Sequence, residues 1–286
     1  MSPNVNVIVL RTAGTNCNEE TAYAFQYFGA RVEQVHINDL TSGKQKLKNY
    51  HILALPGGFS YGDDIASGKI LANELRLSLG QDLCQFIKEG KLVIGICNGF
   101  QILAKAGFLP RTPSQGDLKD LKQQVTLTYN DSGRFEDRWI HLRPEGRCVW
   151  TQGIDGVIYL PVAHGEGKFV PRDQNLLANL RKSGQIVFRY CTSDGKKPIY
   201  PENPNGSMDD VAGICDPTGR VFGLMPHPER HFRVIQHPFW TRLEKIDGLG
   251  DGARIFENGI HYIQSHFFKK LKLSTAGVSS STQDDQ

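Results

Sequence analysis

Residues 91–107 read KLVIGICNGFQILAKAG. An apolar run, residues 91–96, passes without a linker into helical periodicity that stops at Gly107, so a buried strand turns sharply into a helix there. The turn itself reads G-x-C-x-G, with Gly95 and Gly99 two residues either side of Cys97. That is the cysteine form of a nucleophile elbow, in which a strained central residue is lifted above the sheet and the flanking glycines relieve crowding. The thiol then lies at a helix N-terminus, where the dipole and free N–H groups favour the reactive thiolate. The plainer alternative is a buried strand-end cysteine between incidental glycines.

Working outward, the first ninety residues alternate short apolar runs with helical patterns, which predicts βαβ units. Strands are expected at VNVIVL (5–10), at 31–37, at HILALP (51–56) and at KLVIGI (91–96). A helix through NEETAYAFQYF is expected to be capped by Asn16 or Asn18 and stopped by Gly29, and a long helical region to span 65–89. Beyond residue 111, VTLTYN, DRWIHLR, GVIYLPVAH, QIVFRYC, VAGICDP and RVFGLMP read as antiparallel strands extending the same sheet. The fold class is therefore α/β, a doubly wound, mostly parallel sheet with a nucleophile elbow and an antiparallel extension. Residues 192–210 form a long loop suited to binding. Phe256, Ile260, Ile263, Phe267 and Leu271 mark one face of a C-terminal helix. Residues 1–272 are expected to form a single domain, and 273–286 a frayed tail.

Composition narrows the function. Of 286 residues, 39% are hydrophobic and 22% charged, and the net charge of +3 is too small to imply a nucleic-acid or membrane partner. No run approaches a membrane span, and the N-terminus lacks a basic leader, so a cytoplasmic location is expected. The six cysteines include no CxxC pair, which argues against a disulfide framework or a metal site. Neither GxxxxGK[ST] nor GxGxxG occurs, so no nucleotide cofactor is expected in this chain.

A cysteine nucleophile needs a base and a group to orient it. The strand RVFGLMP runs into His227, Pro228 and Glu229. Proline keeps His227 out of the helical region and leaves the segment extended, so the side chains of 227 and 229 are expected to project from one face, the carboxylate orienting the imidazole. Acyl chemistry also needs oxyanion donors. LPGGFSYGDD places Gly57 and Gly58 just past a strand end, where ligands of open α/β sheets bind. An amide from Gly58 or Phe59, with that of Asn98, is expected to form the oxyanion hole. His164 in AHGEG and Arg189 in FRYC lie at strand ends. His164 is a candidate substrate contact, although lone polar residues there more often satisfy loops.

With GTNCNEETAYAF, LPGGFSYGDDIASG, GICNGFQIL, PVAHGEGKF, YPENPNGSMDDVAGICD and GLMPHPERHF in this order, the chain resembles the triad (class I) glutamine amidotransferases. Within them it resembles the glutaminase subunits of phosphoribosylformylglycinamidine synthase. The resemblance implies Cys97 as nucleophile on the side-chain amide of glutamine, His227 and Glu229 completing the triad, and Gln101 contacting bound glutamine. It implies that ammonia passes to a separate synthetase subunit, which uses ATP and magnesium to make formylglycinamidine ribonucleotide in purine synthesis, with a small accessory subunit as a further partner. Asn18 departs from the family's usual aspartate, residues 111–120 look like extra loop, and about fifty residues follow HPER. The rival readings are a cysteine peptidase or esterase on a related fold and a noncatalytic regulatory subunit.

Overall fold

The first strand, β1 (Asn6–Arg11), buries Val7, Ile8, Val9 and Leu10 in succession, the pattern of a strand covered on both faces. The computed structural model describes residues 4–111 and 121–269. Helix α1 (Asn18–Tyr27) follows β1, but Cys17 stands at its N-cap without a side-chain cap, so neither expected asparagine caps it. Glu19 and Glu20 supply negative charge in its first turn instead. Gly29, at φ +82°, ends it as expected. β2 (Arg31–His36), α2 (Ile37–Thr41) and β3 (Ile52–Leu55) come next. The helical stretch expected across 65–89 is two helices, α3 (Lys69–Ser78) and α4 (Gly80–Lys88). Leu79, at φ −122° and ψ 4°, breaks the helix, and Gly80 opens the second. β4 (Leu92–Ile96) then runs into α5 (Asn98–Ala106).

The second half comprises β5 (Val125–Tyr129), β6 (Glu136–Pro144), β7 (Ile158–His164), β8 (Glu166–Pro171), α6 (Gln174–Lys182), β9 (Ile186–Cys191), β10 (Val211–Cys215), β11 (Val221–Leu224) and α7 (Ala253–Tyr262). The main sheet has nine strands in the order β2-β1-β3-β4-β11-β10-β9-β6-β7. Pairing is parallel from β2 through β11 and antiparallel from β11 to β7. Two expectations are corrected. RVFGLMP, expected among the antiparallel strands, pairs parallel with β4. VTLTY leaves the main sheet and pairs with β8 in a separate two-stranded sheet that packs on α5.

Strand order reverses at β1, with β2 on one side and β3 on the other. Right-handed crossovers therefore place α1 on the face opposite α5. α1 packs with α7 on its face, where Phe25 meets Phe256 edge-on at 5.0 Å. α5 packs with α3 on the other. The crevice at the reversal, outside the carboxyl ends of β1 and β3, is where such sheets bind ligands. An isolated bridge between Thr15 and Gly58 spans it. Phe256, Ile260 and Ile263 are buried as expected, and Phe267 packs at the edge of the core. Leu271, the 273–286 tail and residues 112–120 of the extra loop lie outside the described residues. Among the described residues no helix is long and apolar enough to cross a membrane.

Candidate active site

Cys97 sits between β4 and α5 at φ 51° and ψ −105°, a conformation that costs a non-glycine residue of order 1–3 kcal/mol. It is pinned from both sides. Its N–H donates to Leu224 O at 2.7 Å, and its carbonyl accepts from Phe100 and Gln101 N at 3.0 and 3.1 Å. The flanking glycines are required by space: a β-carbon at Gly99 would lie 1.9 Å from Leu55 O, and one at Gly95 2.5 Å from Gly99 O. The incidental-glycine alternative is thereby removed. Cys97 is only 4% exposed and stands at the N-cap of α5.

β11 pairs with β4 in register, Leu224 opposite Ile96, so the segment after β11 emerges beside the elbow. His227 is extended at φ −103° and ψ 92°, as Pro228 demands. Beyond His227 the expected extended segment is instead a single 3-10 turn (Pro228–His231), which Pro228 opens and which brings Glu229 back to the imidazole, Nδ1 to Oε1 at 2.6 Å. Both side chains are buried. Burial alone would lower the imidazole's proton affinity, but the Glu229 carboxylate and the Cys97 sulfur outweigh it and hold His227 well above its ordinary range. With Nδ1 given to Glu229, Nε2 is buried without another partner and is the nitrogen left for Cys97.

The elbow opens into a cavity of about 200 Å³ lined by Gly58, Phe59, Asp63, Cys97, Gln101, His164 and Glu166, among others. The oxyanion expectation separates here. The Phe59 N–H already donates to Gly14 O at 2.8 Å and is not available, so Phe59 contributes its ring to the wall rather than a donor. Gly58, at φ 144°, gives its N–H to no backbone acceptor among the described residues. The Asn98 amide opens α5, where helix geometry leaves N–H groups unpaired. These two amides remain as candidate donors.

Gln101 lines the cavity with its amide held at both ends: Nε2 donates to Glu166 O at 2.5 Å, and Oε1 accepts from Asn98 Nδ2 at 3.0 Å. His164 is buried against the cavity. Asn130 Oδ1 accepts from Gly167 N, so it also accepts from His164 Nδ1, which leaves Nε2 as an unpartnered acceptor. Burial, helped by the charge of His227, lowers His164 to about 3, so it stays neutral. Arg189 is elsewhere, ion-paired with Glu145 and Asp209 at 2.5 Å each.

Sequence reasoning missed a polar floor under Gln101. Lys105 Nζ lies 3.5 Å from Glu166 Oε2 and 2.5 Å from Ser67 O, and Asp63 accepts from Ser67 Oγ, Gly68 N and Asn98 Nδ2. A lysine four residues after Gln101 in a mostly apolar helix was the available signal. Cys17 was missed too. Among the described residues, Cys17, His227 and Glu229 are the one group of potential metal ligands whose ligating atoms all lie within 4.8 Å, but the Arg230 guanidinium donates to the Cys17 sulfur and opposes a cation there.

The family model of the CobB/CobQ-like glutamine amidotransferase domain matches residues 4–263. A phosphoribosylformylglycinamidine synthase subunit PurQ of Dehalococcoides mccartyi is 49% identical, over 90% of this chain and 97% of its own length. One from Methanococcus maripaludis is 44% identical, over 90% and 96%. Among solved structures, a chain of PurLQS from Thermotoga maritima superposes with a TM-score of 0.68 at 28% identity, covering 91% of this chain and all of that one. A strained cysteine elbow, a buried His–Glu pair and this similarity along nearly the whole length agree: the chain belongs to the CobB/CobQ-like, class I glutamine amidotransferases, in the branch of the phosphoribosylformylglycinamidine synthase PurQ subunits.

Proposed function

We propose that this chain is the glutaminase subunit of phosphoribosylformylglycinamidine synthase, hydrolysing glutamine to glutamate and ammonia for a synthetase subunit in purine biosynthesis. The observation that carries the reading is the placement of Cys97 in a strained elbow, beside a buried His227 whose other nitrogen is taken by Glu229. His227 takes the thiol proton, and the thiolate attacks the amide carbon of the glutamine side chain. The N–H groups of Gly58 and Asn98 hold the oxyanion, each donor worth about 3–4 kcal/mol of barrier. The imidazolium returns the proton to the leaving nitrogen, and ammonia departs from a thioester. Water, deprotonated by His227, then releases glutamate and restores the thiol.

Gln101 and His164 face the bound glutamine as substrate contacts. The synthetase subunit uses ATP and magnesium to convert formylglycinamide ribonucleotide to formylglycinamidine ribonucleotide with that ammonia, and a small accessory subunit is a further partner. The names of the relatives, as synthase subunits, and of the Thermotoga maritima complex support this assembly. The family span of 4–263 supports reading residues 1–272 as one amidotransferase domain, and a cytoplasmic location belongs to the same proposal. The test is Cys97→Ala in the assembled synthase. Glutamine-dependent synthesis is expected to be lost while ammonium-dependent synthesis continues. Retained glutaminase turnover would overturn the assignment.

A further inference from the structure

The proposed mechanism does not use Cys17, yet this thiol is 1% exposed and packed against the imidazole. Its Sγ lies 3.8 Å from His227 Nδ1. Arg230 Nη2 donates to the same sulfur at 3.1 Å, and the thiol donates to Asn16 Oδ1 at 3.1 Å. Gly57 closes the packing, since a β-carbon there would lie 2.7 Å from His227 Cε1 and 3.1 Å from Cys17 Sγ. We propose that Cys17 is a positioning residue for the His227–Glu229 pair: its sulfur engages the Arg230 guanidinium and keeps it from capturing the Glu229 carboxylate. The inference rests on the reading of His227 as the base.

The argument is one of competition for a buried carboxylate. Glu229 gives Oε1 to His227, while Oε2 is buried with no partner. Arg230 is the next residue in the chain and its charge is felt by Glu229. Guanidinium and carboxylate form strong, often bidentate pairs, so an unengaged Arg230 beside a half-satisfied Glu229 would turn to it. Glu229 would then share its charge between two cations and support the imidazolium less. Cys17 offers Arg230 another acceptor without adding charge, because burial pushes its thiol up and keeps it protonated. The charged or titratable groups facing His227 are thus Glu229, Cys97, Cys17 and the neutral His164, with Arg230 held behind the sulfur.

The test compares Cys17→Ala, Cys17→Val, Cys17→Ser, Arg230→Gln and the Cys17→Ala/Arg230→Gln double variant. Valine fills the space but accepts no hydrogen bond, so it separates lost packing from lost engagement of Arg230. Two quantities are measured across pH: kcat/KM for glutamine hydrolysis with the synthetase partner present, and the rate of Cys97 alkylation by iodoacetamide in the chain alone. Cys17→Ala and Cys17→Val are expected to lower kcat about tenfold with KM little changed, to move the alkaline limb of the kcat/KM profile to lower pH, and to move the acid limb of the alkylation profile to higher pH, because a weaker imidazolium supports the Cys97 thiolate less. Cys17→Ser, which keeps an acceptor, stays within about threefold of wild type, and removing Arg230 from Cys17→Ala restores most of the loss. Unchanged limbs in both Cys17→Ala and Cys17→Val, or a double variant no faster than Cys17→Ala, overturn the proposal. If the wild-type complex has no glutaminase activity but alkylation keeps this order, the glutaminase reading fails and the positioning role stands.

Discussion

At Gly99 a single methyl group separates a working elbow from a broken one, because Leu55 O would lie 1.9 Å from its carbon. The contact is with backbone, so relief requires moving β3 against α5. Gly99→Ala is expected to destabilise the fold by more than about 2 kcal/mol, a loss read by urea denaturation. A urea midpoint equal to wild type would contradict the packing argument. Glu229→Gln keeps the shape of its contact but removes the charge that helps hold His227 above its ordinary range. Since a raised imidazole carries its proton up to a higher pH, losing that charge moves the alkaline limb of kcat to lower pH and cuts the rate by one to two orders of magnitude. A limb that stays in place would show that Glu229 only orients the ring.

Between elements, Lys105 on α5 ties the floor of the cavity to β8 and to the loop before α3. Its side chain is 6% exposed and that of Glu166 13% exposed. Removing one member of such a pair leaves an uncompensated charge, so Lys105→Met is expected to cost about 3–5 kcal/mol, with Glu166→Gln in the same chain recovering much of it. Additive losses in chemical denaturation would rule out the coupling. Element type was legible where the pattern was periodic: β1, β3 and β4 announce themselves as apolar runs, and Gly29 and Gly107 end helices as written. The break at Leu79 was not legible, because apolar periodicity continues through both α3 and α4. The departure of β5 from the main sheet was hidden for a similar reason: a half-buried alternating strand reads the same whichever sheet it joins.

For the whole molecule, two histidines contribute to the loss of stability in acid. Burial holds His164 at about 3 and His51 at about 4, the latter helped by Lys91. Both lie below the unfolded value of about 6.5, so on acidification the unfolded chain takes up protons that the native one refuses. Their contribution is complete above pH 6.5 and drains away as the pH falls toward 3. The melting temperature is expected to fall over that window, and the fall to be shallower in His51→Gln; equal slopes would remove His51 from the account. The cavity mouth carries Phe59 and Phe135 at a ring separation of 6.2 Å, with Tyr129 72% exposed beside them. Gly58, the proposed donor to the oxyanion, is on the same loop as Phe59. A partner that shifts this loop toward a state with the Gly58 N–H aimed at the oxyanion, by about 1.4–2.8 kcal/mol, would raise turnover roughly tenfold to hundredfold. Glutamate release by the chain alone should therefore be slow, and faster with the synthetase, ATP and formylglycinamide ribonucleotide. Full speed in the isolated chain would exclude this gating.

Local chemistry decided what the sequence could declare by itself. The elbow at residues 95–99, the nearness of Glu229 to His227 and the apolar runs of β1, β3 and β4 depend on neighbours within a few residues, where sterics and hydrogen bonding act through the chain. Tertiary structure decided the rest. It is the parallel register of β11 beside β4 that delivers His227 to Cys97, and the Thr15–Gly58 bridge that spends the Phe59 amide on Gly14 and leaves that of Gly58. The same bridge region brings Cys17 to His227 across 210 residues of chain. Such contacts are set by how strands order in a sheet and how loops meet at its carboxyl edge, and no local pattern encodes them.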